Sequence, residues 1–68
     1  MKRVTYVFES ENIGWFGYST TAQNMNDALK EAKMEGIIGN EEVILLDSVD
    51  EDDPMYDEIL DCYGVDVY

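Results

Sequence analysis

The stretch from Arg3 to Ser10 reads RVTYVFES, and its side chains alternate between two faces of an extended chain. Tyr6 and Phe8 fall on one face, and Thr5 and Val7 fall on the other. This period of two predicts a β-strand over residues 3–10, because successive side chains of a strand point to opposite sides. We expect the remaining elements to assemble around this strand.

A second strand-like run follows a turn. Residues 12–14, Asn-Ile-Gly, break the alternation, and the aromatic and β-branched run over residues 15–21 resumes it. The two runs predict a hairpin in which Gly14 adopts the turn conformation. Gly17, inside the second run, is a candidate position for a β-bulge.

Two later segments have helical periodicity. Residues 26–35 combine strong helix formers with an apolar stripe at i, i+3, i+4 and i+7, and Gly36 follows as a helix-ending residue. Residues 54–63 begin with a proline and carry a similar apolar stripe that continues until Gly64. Each segment is therefore predicted to be a helix with one apolar face.

A third strand is predicted over residues 42–49. Its run Val43 to Leu46 is apolar throughout, which is typical of a strand covered on both faces. The order is then β-β-α-β-α, and a right-handed crossover places the first strand in the middle of an antiparallel sheet of order 2-1-3. The sequence predicts a single α+β domain over residues 1–68, with two layers formed by this sheet and two helices, and a tail at residues 65–68 short enough to fray.

The residues that most enzymes rely on are missing. The chain has no histidine, which is the commonest general base and a frequent metal ligand. The run from Asp50 to Glu58 is rich in carboxylates, but as a calcium loop it would place Pro54 at the fifth position and Met55 where a glycine is required. We therefore expect a protein that is not an enzyme and has no cofactor and no metal site.

The cellular location is inferred from cysteine use and hydropathy. Cys62 is the single cysteine, so an internal disulfide is impossible, and no charged and apolar leader precedes the first strand. No apolar run approaches the ~20 residues of a membrane helix. These features predict a cytoplasmic protein, in the host cytoplasm if a phage encodes it. Cys62 lies one residue from the apolar stripe and is predicted to be a partly buried packing residue.

Negative charge is concentrated in the second part of the chain. Residues 1–40 have a net charge of −1, whereas residues 41–68 contain eleven acidic residues and no basic one. The total of −12 repels nucleic acids and anionic membranes. The expected partner is therefore a basic, nucleic-acid-binding protein, without direct binding of nucleic acid or membrane.

Within the second predicted helix, Asp53, Asp57 and Asp61 recur every fourth residue, which gives a ridge of carboxylates about 6 Å apart. That spacing is comparable to the separation of DNA phosphates. Asp61 also lies near the helix C-terminus, where a negative charge is unfavourable. A solvated face that only confers solubility is the alternative. The predicted partner-binding residues are Asp47, Asp50, Glu51, Asp52, Asp53, Asp57, Glu58, Asp61 and Tyr68.

The aromatic residues leave several roles open. Tyr56 and Tyr63 fit packing against the sheet better than contact with a partner. Trp15 at the hairpin is either a core anchor or an exposed contact. Because a chain of 68 residues has a thin stability margin, a homodimer through an edge strand or the Trp15 end is a further possibility.

Three segments of the first half resemble the amino-terminal domain of HicB-like antitoxins. They are Thr5–Glu9 (TYVFE), Gly14–Phe16 (GWF) and Asn26–Ala32 (NDALKEA). The resemblance implies a partial RNase H-like sheet made of a strand, a Gly-aromatic strand and a helix, in a protein that binds a toxin. The overall profile is also similar to the small acidic inhibitors, including DNA mimics and anti-CRISPR proteins, that phages use against host defence nucleases.

The sequence therefore predicts a non-catalytic inhibitor that blocks the basic nucleic-acid-binding surface of a nuclease or defence complex by acidic contacts. The alternative is a HicB-like antitoxin or a self-associating regulatory module. Both are binding proteins, and they differ in the partner.

Overall fold

The computed structural model describes residues 2–68. The elements are β1 (Val4–Ser10), β2 (Gly14–Thr20), α1 (Met25–Met34), β3 (Val43–Asp50) and α2 (Tyr56–Tyr63). The three strands form one antiparallel sheet in the order β2-β1-β3. The predicted α+β class, element order and central position of the first strand are confirmed. Neither of the helices in this part of the chain is long and apolar enough to cross a membrane.

Each turn and helix end follows from a particular residue. Gly14 closes the β1–β2 hairpin with a φ of 79°, a conformation that glycine adopts without steric cost. The side chain of Asn24 accepts the Asp27 N–H at 2.9 Å and thereby caps α1. At the other end of α1, Gly36 has a φ of 78°, and the Ile37 N–H donates to the Ala32 carbonyl at 3.0 Å, which satisfies the last turn.

The sheet irregularity lies in β3 rather than at Gly17. Gly17 pairs in register with Val7 on β1, so the predicted bulge at this glycine is wrong. On the other side of β1, Val7 faces Asp47 while Phe8 faces Leu45, which leaves Leu46 as an extra residue. The bulge turns Leu46 towards the cluster beneath α2, where it packs with Val7.

The carboxyl-terminal tail pairs with the outer edge of β2. Val67 forms a parallel bridge with Gly17, and the Gly17 N–H donates to the Asp66 carbonyl at 2.8 Å. The Tyr68 N–H in turn donates to the Gly17 carbonyl at 2.9 Å, and the Tyr68 carbonyl accepts the Ser19 N–H at 3.0 Å. The expectation that this tail frays is therefore wrong, because its backbone groups are held by β2.

The two helices cover opposite faces of the sheet, so the layers are three rather than the predicted two. On one face α1 packs over Tyr6, Phe8, Phe16 and Tyr18. On the other face Leu60 of α2 packs over Val7 and Val49. Hydrophobic periodicity identifies the buried side of each helix, but it does not say which face of a sheet that side meets. Because β1 is central and apolar on both faces, it accepts a helix on each.

The second sheet face is only partly covered. At 1.5 Å per residue, the eight residues of α2 extend about 12 Å, whereas the seven of β1 extend about 23 Å. Ile44, which faces Glu9 on this side of the sheet, is 54% exposed. The prediction that β3 is covered on both faces is therefore wrong, because β3 is an edge strand and α2 is too short to reach its beginning.

Candidate protein-binding surface

The outer face of α2 is acidic and exposed. Its apolar stripe faces the sheet, with Leu60 buried and Tyr56, Ile59 and Tyr63 partly buried. The remaining positions of the helix point to solvent, and three of them are carboxylates. These are Asp57, Glu58 and Asp61. Among the described residues, none of these three side chains has a hydrogen bond or an ion pair, so their charges are free to meet a partner.

The predicted carboxylate ridge is shorter in the structure than in the sequence analysis. α2 begins at Tyr56, and Asp53 and Pro54 lie in the preceding turn. The Asp53 carboxylate accepts the Met55 N–H at 2.8 Å, and the Asp53 N–H donates to the Asp50 carbonyl at 3.0 Å. These bonds hold the turn that delays the helix. The ridge on α2 therefore consists of Asp57 and Asp61 alone, one turn apart.

Glu51 lies at the start of the loop after β3 and is bonded inside the domain. Its carboxylate accepts the hydroxyls of Thr5, at 3.2 Å, and Ser19, and it lies 4.0 Å from the Arg3 guanidinium. The Thr5 hydroxyl, which is fully buried, is also 2.8 Å from the Tyr56 hydroxyl. This cluster joins the loop to β1, β2 and α2. Glu51 therefore has a structural role in addition to any contact with a partner.

Asp47 connects β3 to the end of α2. The Tyr63 hydroxyl donates to Asp47 Oδ2 at 3.0 Å, and the Ser48 N–H donates to Asp47 Oδ1 at 2.8 Å. The hydrogen bond to Asp47, together with burial, raises the pKa of the Tyr63 hydroxyl, because the neutral phenol is the donor. Asp47 is therefore also committed to an internal contact.

The remaining predicted site residues divide between the two edges of the sheet. Asp50 and Asp52 are exposed near the start of the loop that leads to α2, and Asp52 lies 3.8 Å from the Lys2 ammonium group. Tyr68 is 55% exposed but lies beside β2, where its ring contacts Phe16 at a centroid distance of 6.1 Å. Phe16 faces α1. The structure therefore places Asp47, Asp57, Glu58 and Asp61 at α2. It places Asp50 opposite Val4, on the face that α1 covers, and Tyr68 at the other edge of the sheet.

An exposed row on the uncovered sheet face was absent from the predicted site. Glu9 in β1 faces Trp15 in β2 on one side and Ile44 in β3 on the other. The indole of Trp15 is 51% exposed, and its Nε1–H donates to Glu9 Oε1 at 3.1 Å. The Trp15 ring also meets Tyr63 edge to face at 6.0 Å. We call Glu9, Trp15, Ile44 and Tyr63 the Trp15 patch.

The sequence contained part of the signal for this patch. The hairpin register set by Gly14 places Trp15 opposite Glu9, and period-two counting puts both on the same face as Val7. Ile44 joins them only through the β3 register, which the bulge alters. Trp15 is thus resolved as an exposed residue. Cys62 is exposed as well, which contradicts its predicted partial burial, because it lies on the solvent side of α2.

Comparisons with known proteins find no relative of this chain. No protein-family model matches it, and no curated protein or solved structure matches it. The resemblance of the first half to HicB-like antitoxins is neither supported nor contradicted by this outcome. The chemistry of the surface is therefore the basis for a functional proposal.

Proposed function

We propose that the protein is a non-catalytic inhibitor that occupies the basic nucleic-acid-binding surface of a nuclease or defence complex. The observation that carries this proposal is the outer face of α2, where Asp57, Glu58 and Asp61 are exposed and have no intramolecular partner among residues 2–68. No basic residue occurs anywhere after Lys33 to neutralise them. An acidic face of this kind is complementary to a cluster of Lys and Arg.

The geometry of α2 supports contact with a phosphate-binding groove. Asp57 and Asp61 are separated by one helical turn, about 6 Å along the helix axis. Successive phosphates of one DNA strand lie ~3.4 Å apart along the duplex axis and somewhat farther apart through space, so the two charge arrays have similar spacing. Asp61 lies in the last turn of α2, where the helix dipole disfavours a carboxylate, and Asp57 repels it from the preceding turn. Placement that costs the helix stability favours a role in binding over a role in folding.

A second candidate is an antitoxin-like partner of a basic toxin. It is favoured by the fact that the three segments resembling HicB-like antitoxins fold as strand, strand and helix. This candidate uses the same acidic surface and predicts a toxin gene beside the gene for this protein. An inhibitor of a defence complex predicts a neighbourhood of anti-defence genes instead.

The first test is competition for the partner. The protein is used to capture a binding partner from a host lysate, and the purified partner is then titrated with DNA or RNA in the presence and absence of the protein. Mutual exclusion supports the proposal. A ternary complex in which nucleic acid binds with unchanged affinity contradicts it.

The second test removes the two ridge charges. In Asp57→Asn/Asp61→Asn we expect association with the captured partner to slow by about three- to tenfold at low salt, because steering by opposite charges is lost. The difference in association rate between the parent and this variant should shrink as the salt concentration rises, because the screening length falls to about 8 Å at physiological ionic strength. Fold stability should rise by a few tenths of a kcal/mol, about 0.2–0.5, as repulsion within α2 is relieved.

The matched control removes two acidic charges from the opposite side of the sheet. Asp27→Asn/Glu35→Gln changes α1 and its C-cap and leaves the same net charge as the ridge variant. Its association rate should remain close to that of the parent. If the two double variants slow association equally, only the net charge matters, and the outer face of α2 is not the contact.

A further inference from the structure

We propose that the Trp15 patch receives an arginine side chain of the partner, whose guanidinium stacks on the indole of Trp15 and pairs with the carboxylate of Glu9. This inference rests on the proposed function for the basic character of the partner. It adds a contact that is centred on Glu9 and Trp15, outside the acidic residues of 41–68, and that selects arginine over lysine.

The patch presents an aromatic surface and a carboxylate side by side. The Trp15 indole is 51% exposed, and its Nε1–H is bonded to Glu9 Oε1 at 3.1 Å, which fixes the two groups relative to each other. Glu9 Oε2 has no hydrogen-bond partner within residues 2–68, so it is available as an acceptor. Ile44, 54% exposed on the other side of Glu9, supplies apolar contact for the methylene stem of a long side chain.

These groups match arginine more closely than lysine. A guanidinium is planar, stacks on aromatic faces and donates several N–H bonds in one plane, whereas an ammonium is a compact and strongly hydrated charge. Tryptophan is the side chain that attracts cations most strongly through its ring face. A bound arginine can therefore contact Trp15 and Glu9 together.

The patch is continuous with the acidic face through α2. Tyr63, the last residue of the helix, contacts Trp15 at a ring distance of 6.0 Å and is bonded to Asp47 at 3.0 Å. Asp61 lies on the outer side of the same helical turn. An apolar, aromatic centre with a charged surround is the arrangement of protein interfaces, in which tryptophan often makes the largest contribution to affinity. A basic partner fits this arrangement, whereas a second copy of this chain would bring its own excess of negative charge.

The test uses two dye-labelled peptides, hexa-arginine and hexa-lysine, whose binding is followed by fluorescence anisotropy. The parent should bind hexa-arginine about two- to fivefold more tightly than hexa-lysine, as expected for an exposed cation–π contact. Trp15→Ala should abolish this preference. Glu9→Gln, which keeps the acceptor for the indole N–H but removes the charge, should weaken hexa-arginine binding. Met34→Ala, at an 86% exposed apolar position on α1, is the control and should bind like the parent.

The outcomes separate this inference from the proposed function. The acidic contact face and the arginine site are both supported by the following result. Asp57→Asn/Asp61→Asn weakens the binding of both peptides by the same factor, and Trp15→Ala removes only the preference for hexa-arginine. If the Trp15→Ala variant binds both peptides like the parent, or binds both more weakly by the same factor, the proposed arginine site is wrong. The proposal that the outer face of α2 contacts a basic partner is not affected by that result. If sedimentation shows a homodimer that Trp15→Ala dissociates, the patch is occupied by a second copy and the inference is overturned.

Discussion

Gly17 is a position at which the tail and the sheet pack closely. A Cβ at this position would lie 3.0 Å from Val67 Cγ2 and 3.3 Å from Thr5 Cγ2. Thr5 is fully buried, whereas Val67 is 43% exposed. A side chain at this position would therefore crowd the tail, and Val67 would have to shift by a few tenths of an ångström.

Gly17→Ala should destabilise the domain by about 1 kcal/mol, the low end of the cost of an added methyl group in a packed site, because the exposed Val67 side chain can shift. The added methyl group should push the tail away from β2. The amide hydrogens of Gly17, Ser19 and Tyr68, which form the hydrogen bonds between β2 and the tail, should then exchange faster with solvent. Urea unfolding measures the loss. Adding Val67→Ala, which removes the nearer clashing methyl, should recover most of it. A Gly17→Ala variant as stable as the parent would show that the tail does not press on β2.

Tyr18 provides a pH-dependent prediction. Burial, and then the hydrogen bond to Glu35, raises the pKa of the Tyr18 hydroxyl to about 12. Because this pKa is above the value of 10.0 in the unfolded chain, the stabilisation is fully present below pH 10 and is lost as the pH rises from 10 to about 12. Phenolate absorbance should show a tyrosine that ionises near pH 12, and Tyr18→Phe should lack that step. Ionisation of every tyrosine near pH 10 would contradict the burial of Tyr18.

The carboxylates show how far single residues could be predicted. Sequence alone marked Glu51 and Asp57 as equivalent members of one acidic segment. The structure places Glu51 against Thr5 and Ser19, residues of strands distant in the chain, while Asp57 remains free. Local patterning carries no information on such long-range hydrogen bonds, and this is why the predicted site mixed structural carboxylates with available ones.

At the scale of elements, periodicity located every strand and helix to within two residues of its observed bounds. The largest shift is at the start of α2, where the sequence favoured a helix beginning at Pro54. The bond from Met55 N–H to the Asp53 carboxylate holds a turn there, and the helix begins at Tyr56. That shift removes Asp53 from the ridge.

At the scale of the whole molecule, charge opposes folding. A net charge of −12 on 68 residues destabilises the compact state by self-repulsion, and the described residues supply two side-chain ion pairs, both near the amino terminus. Sodium chloride at about 1 M, where the screening length is about 3 Å, should therefore raise the urea midpoint. Asp57→Asn/Asp61→Asn should gain less from salt than the parent. A urea midpoint that does not depend on salt would contradict this prediction, because it would show that repulsion between the carboxylates does not reduce the stability of the fold.

The central position of β1 has a consequence for synthesis. β1 and β2 leave the ribosome first, but the second ladder of β1 requires β3, and the far face of the sheet is covered only when α2 has also emerged. At about 5–20 residues per second, the nascent hairpin waits for several seconds with Val7 uncovered. During that interval the hairpin displays an open strand edge and an apolar face, the two features that make nascent chains prone to aggregate. The acidic segment, residues 41–68, therefore completes the fold only after the hairpin has been made.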